Sequence, residues 1–90
     1  MLTTIRKITS KMYSSDTNYF YLKIGNYKVS RNRFWIEHRY FDNIICKVDL
    51  DTKTFELFNC NYTNSRLTKA QLNFLEKFYK VRGYKLKWFQ

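Results

Sequence analysis

The stretch LTKAQLNFLEKFYKVRG, Leu67 to Gly83, decides how the rest of the chain is read. Thr68 is a good N-cap, Gln71 three positions later completes a capping box, and Leu67 ahead of the cap is placed to staple against Leu72. Gly83 supplies the left-handed residue on which helices commonly end, so the spacing predicts a helix from 69 to 82. Wound at about 100° per residue, Leu72, Phe74, Leu75, Phe78, Tyr79 and Val81 fall on one side. Lys69, Asn73, Glu76, Lys77 and Lys80 fall on the other. Such a helix needs an apolar surface to cover, and the preceding chain offers one.

Upstream of the helix the period changes from 3.6 to 2. Ile44, Cys46 and Val48 alternate with Ile45, Lys47 and Asp49, and a turn over 50–53 leads into a second short run, Thr54 to Phe58. Phe34 and Ile36 alternate with Trp35 and Glu37. Phe20, Leu22 and Ile24 alternate with Tyr19, Tyr21 and Lys23. Gly25-Asn26 suits a two-residue hairpin turn into Tyr27 to Ser30, and Ser30 to Arg33 and Asp42-Asn43 are further breaks. Residues 2–8 are rich in β-branched side chains and read as a first strand. At the other end, Tyr84, Leu86 and Trp88 alternate with Lys85 and Lys87, as in an edge strand. The expected fold is α+β: a small antiparallel sheet of about five strands packed against one C-terminal amphipathic helix.

Nothing divides the chain. Its 90 residues hold no linker, repeat or low-complexity tract, and residues 1–90 read as a single domain. Eight Tyr, eight Phe and two Trp give it a core built on aromatic packing, where each ring removes much area for few ordered torsions. Cys46 and Cys60 have neither a CxxC spacing nor an even framework of four or six; buried thiols in a reducing compartment fit them better than a disulfide. No apolar run approaches a membrane span or a signal-peptide core, so no membrane partner and a cytoplasmic location are expected. The first 15 residues are basic and acid-free, a faint likeness to a transit peptide that an N-terminal strand explains better.

The charge is the strongest functional signal: 17 Lys and Arg against 7 Asp and Glu, a net of +10. A field of that sign and size selects polyanions. Cations interleaved with rings occur in two blocks. The first is Lys28, Arg31, Arg33, Trp35, Arg39 and Tyr40, where cations would hold phosphates and flat rings would stack on bases. The second contains Arg66, Lys69, Lys77, Lys80, Arg82, Lys85 and Lys87, seven cations against the single acid Glu76. A merely solvated helix face mixes signs; this one hardly does.

Catalysis is poorly supported. His38, the only histidine, lies beside Glu37 and Arg39 with no nucleophile motif around it. A Cys-His pair with Cys46 or Cys60 is conceivable. A metal site from His38, Cys46 and Cys60 lacks an obvious fourth ligand and has none of the paired spacings of zinc modules. No glycine-rich phosphate loop exists. The reading is therefore a non-enzyme without cofactor or metal.

Ser65, Thr68, Leu72-Asn73 and Phe74-Leu75, preceded by strands around Ile44 to Val48 and Phe55 to Phe58, form a pattern that resembles a group of small phage proteins from low-GC Gram-positive bacteria. The resemblance covers roughly Tyr27 to Arg82. It departs at Leu67, where the pattern has a second threonine, and at Phe74-Leu75, which falls one position early. It implies a phage or mobile-element accessory protein working in the host bacterial cell. With the charge, it sets the expectation of binding to nucleic acid or to a nucleoprotein complex such as a CRISPR effector. Two alternatives stand beside that: an anti-CRISPR-type inhibitor docking on a host effector protein, and a small nuclease. A homodimer is also admissible.

Overall fold

The computed structural model describes residues 2–15, 18–58 and 69–89, with Trp88 and Phe89 described by backbone alone. The elements are α1 (Leu2–Tyr13), β1 (Phe20–Ile24), β2 (Tyr27–Arg31), β3 (Trp35–Tyr40), β4 (Asn43–Asp49), β5 (Thr54–Leu57), α2 (Lys69–Lys80) and β6 (Lys85–Phe89). The class is α+β as expected, but the sheet has six strands where about five were expected, and a second helix precedes it.

The N-terminal segment is the main correction. Residues 2–8, read as a strand, belong to α1, which buries Ile5, Ile8, Thr9 and Met12. Those positions are spaced i, i+3, i+4 and i+7, the stripe of an amphipathic helix, and burying that stripe outweighs the β preference of threonine and isoleucine. No glycine or proline interrupts it.

The strands lie in the order β1-β2-β3-β4-β5-β6. The first five form an antiparallel meander, and β6 returns after α2 to pair with β5 in parallel, so the sheet is mixed and not purely antiparallel. Gly25, at φ 61, sits first in the two-residue β1–β2 turn, as a type II′ turn requires. The β3–β4 turn is built from Phe41 (φ 51) and Asp42 (φ 65), left-handed positions filled without glycine. Two turns are tied by side chains: Asn32 Oδ1 accepts from the amides of Phe34 and Trp35, both at 2.8 Å, and Asp49 Oδ1 accepts from those of Asp51 and Thr52.

Among the described residues, one face of the sheet is covered and the other is open. α1 packs on β1 and β2, α2 on β5 and β6, and the helices touch each other over the middle. Their seam is aromatic, with Tyr13 edge-on to Phe78 at 5.6 Å and Phe74 against Phe78. The core beneath contains Tyr27, Val29, Ile36, Cys46, Val48, Phe55 and Leu57 from the sheet and Leu72, Leu75, Phe78 and Tyr79 from α2. A fully buried aromatic or aliphatic side chain contributes roughly 1.5–3 kcal/mol, so the expectation of an aromatic core is met.

α2 ends at Lys80, two residues before the expected 82, and Val81, placed on its packed side, is 66% exposed. The cause is a Schellman closure: the Gly83 amide (φ 92) donates to the Lys80 carbonyl and that of Tyr84 to the Tyr79 carbonyl, while the Tyr79 and Tyr84 rings meet edge-on. Thr68 and Leu67, assigned the cap and staple, lie outside the described residues, as do Ser65, Arg66 and Cys60. The alternation in β4 also breaks. His38 pairs with Cys46 but Arg39 with Ile44, so Ile45 is an extra residue, a bulge. Ile44 thus joins Lys47 on the open face of the sheet, where the regular period placed it with Cys46 and Val48.

Candidate anion-binding surface

Beneath the helices a buried polar chain ties α2 to the sheet. His38, at 0% exposure on β3, has Nδ1 2.7 Å from the Tyr27 hydroxyl and Nε2 2.5 Å from the Tyr79 hydroxyl. A neutral imidazole offers one N–H and one lone pair, so one tyrosine donates to the ring and the other accepts from it. Burial lowers the His38 pKa from 6.5 to about 3 and holds the ring neutral. Burial likewise raises Tyr27 and Tyr79 well above the usual phenol value. The chain joins β2, β3 and α2. On the α1 side it stops short, since Thr9 Oγ1 lies close enough to influence Tyr27 but makes no well-formed hydrogen bond.

This arrangement decides what His38 does. Cys46 is its cross-strand neighbour, so the residues weighed as a Cys-His pair do meet. Yet both are fully buried, burial pushes the Cys46 thiol up and away from thiolate, and both imidazole nitrogens are occupied by tyrosines. No group of three or more His, Cys, Asp or Glu side chains suited to a metal ion occurs among the described residues.

The surface divides by sign. On the helical layer seven cations, Arg6, Lys7, Lys11, Lys69, Lys77, Lys80 and Arg82, stand against one carboxylate, Glu76, a net of +6. Glu76 is spent on Lys80 at 2.6 Å. Among the described residues Arg6, Lys7, Lys11, Lys69 and Lys77 have no carboxylate partner. Two guanidinium groups hold the seam: Arg6 lies 5.6 Å from the centre of the Phe74 ring, and Arg82 lies 3.6 Å from Phe78 and 5.0 Å from Tyr13 while donating to the Phe78 carbonyl. Burial, and then the neighbouring Tyr13, push the Tyr84 hydroxyl up to about 12, so it stays neutral.

The sheet and its turns carry nine cations against five carboxylates among the described residues, a net of +4, and these are interleaved. Lys28 pairs with Asp42 at 3.3 Å and Arg39 with Glu37 at 3.7 Å. The open face also holds a groove of about 400 Å³ in which Lys47 and Lys87 are matched by Asp49 and Glu56, with Lys47 Nζ 4.4 Å from the centre of the Trp35 ring.

The first block of sequence-predicted residues is therefore not one patch. Lys28, Trp35 and Arg39 lie on the open face, and Arg33 sits in the β2–β3 turn against Phe34. Arg31 and Tyr40 belong to the opposite, helix-facing row, where Arg31 Nε is buried. The second block splits: Lys69, Lys77, Lys80 and Arg82 stay with α2, Lys85 and Lys87 go to β6, and Arg66 is outside the described residues. Sequence reasoning missed Arg6, Lys7 and Lys11. The helical spacing of Ile5, Ile8 and Met12 was the signal that would have placed them on a wet helix face. Comparison with protein-family models, with curated proteins and with solved structures yields no match to this chain.

Proposed function

We propose that the chain is a binding protein for nucleic acid or for a nucleoprotein complex, acting as a phage or mobile-element accessory factor and engaging phosphates through the α1–α2 surface. One observation carries the reading: the helical layer sets seven cations against a single, already paired carboxylate. Concentrating uncompensated cations costs self-repulsion, and a polyanion relieves it by displacing the counterions of both surfaces. Arg6 and Arg82, held on rings, are partly ordered before any ligand arrives, which lowers the entropy cost of contact. The test is affinity for duplex DNA measured against salt. About five neutralised phosphates give a slope of log affinity on log salt near −4.5, and a flat dependence refutes the reading.

A second reading, an anti-CRISPR-type inhibitor docking on a host effector protein, draws support from the open sheet face. There, matched charges and the exposed ring of Trp35 suit a protein surface better than a bare polyphosphate. Capture from host lysate with and without nuclease separates the two. Partners lost on nuclease treatment support the first reading, and one dominant protein retained supports the second. A nuclease would have to work without His38, which lies out of reach of any substrate; intact nucleic acid after prolonged incubation dismisses it.

A further inference from the structure

We infer that the free edge of β1 pairs with the β1 of a second copy of this chain, antiparallel and centred on Leu22, extending the sheet across a twofold axis. Peptide groups along β2 alternate in direction. Asn26 accepts from Phe41 and Asn32 donates to Trp35, so the even-numbered residues of β2 address β3 and the odd-numbered ones address β1. Phe20, Leu22 and Ile24, which pair with Arg31, Val29 and Tyr27, therefore direct their N–H and C=O groups to β2. Those of Tyr21 and Lys23 point off the sheet, on an outermost strand that carries a single charge. Such an edge is a template for another strand.

The register identifies the occupant. Read backwards about Leu22, the strand complements itself: Tyr21 faces Lys23 and Lys23 faces Tyr21, the two residues whose peptide groups are free to exchange hydrogen bonds. Each pair sets an exposed ammonium beside a ring that is 63% exposed, a favourable cross-strand cation–π match. On the helix side, Phe20 meets Ile24. Centring on Lys23 would oppose two ammonium groups, and centring on Tyr21 would set Ile24 against Asn18. A slip of one residue reverses every side chain. The net charge of +10 on each copy opposes the pairing, so it is weak and strengthens as salt screens the repulsion.

The pairing is independent of the proposed ligand and is tested on protein free of nucleic acid. Sedimentation equilibrium from ~10 µM to ~1 mM should show the mass rising from 11.2 kDa toward twice that value, more steeply at high salt, as expected of an interface this small. Over the same range, amide exchange should slow at Tyr21 and Lys23 while Leu22 is protected throughout. Tyr21→Lys, which opposes like charges across the pair, should weaken association by about tenfold or more, whereas Tyr21→Glu should leave it intact or tighter. A mass of one chain at every concentration overturns the inference, as does an equal effect of the Lys and Glu variants or the absence of alternating protection.

Discussion

The helical layer and the open face of the sheet draw on the same basic composition and arrive at different surfaces. On the sheet, Lys28 pairs with Asp42, Arg39 lies beside Glu37 of its own strand, and strand register sets Lys47 opposite Glu37 and Glu56, so part of the positive charge is answered locally. On the helices, α1 has no acid at all and α2 has one, so the field is left to be answered from outside. Net charge alone therefore does not locate a binding surface. The proposed surface is the one where carboxylates are scarce.

The largest expected effect tests that contrast directly. Changing Arg6, Lys7, Lys11, Lys69 and Lys77 together to Gln should lower duplex DNA affinity about 10³-fold at near-physiological salt and flatten the salt slope by about 4. The matched set Lys28, Arg39, Lys47, Lys85 and Lys87 to Gln should cost less than about threefold. Equal losses in a fluorescence anisotropy titration would erase the distinction between the faces.

Next is the joint that holds the two layers together. Because the folded pKa of His38 is depressed to about 3 from 6.5, the unfolded chain binds the extra proton between those values. Stability should thus fall with falling pH by about 1.4 kcal/mol per unit, or about 2 kcal/mol from pH 6.5 to 5, reaching its floor near pH 3. Urea midpoints across that range should follow this slope, and His38→Gln should lack it. A smaller effect belongs to Tyr79→Phe, which leaves a buried imidazole nitrogen without its partner and should cost about 1–2 kcal/mol. Tyr21→Phe, on the exposed edge, should stay within about 0.5 kcal/mol by thermal denaturation. Of similar size is Glu76→Gln, which removes the one acid of the helical layer: it should cost about 0.3–0.5 kcal/mol of helix stability while tightening polyanion binding about twofold.

Legibility followed the range of the governing interactions. The β1–β2 hairpin, the 50–53 turn and the Gly83 terminus were readable because each depends on residues within a few positions of one another. α1 was misread because threonine and isoleucine lean toward strands, and only the partner surface decides whether a stripe of Ile5, Ile8 and Met12 is satisfied. The bulge at Ile45 was invisible, since nothing local distinguishes a strand that keeps its period from one that drops a step to match its neighbour. Of the candidate surface, the Lys69, Lys77 and Lys80 face of α2 was legible, its continuation on α1 was not, and the first block was scattered by strand parity.

The sequence by itself determined the class of fold, the aromatic core, the placement of α2 and the sign and size of the charge, because periodicity, turn chemistry and composition act along the chain. Tertiary structure alone decided which cations share a surface, and that His38 is a buried strut between Tyr27 and Tyr79. Those outcomes depend on which elements pack together, and the free energy of packing belongs to pairs of surfaces that no single segment contains.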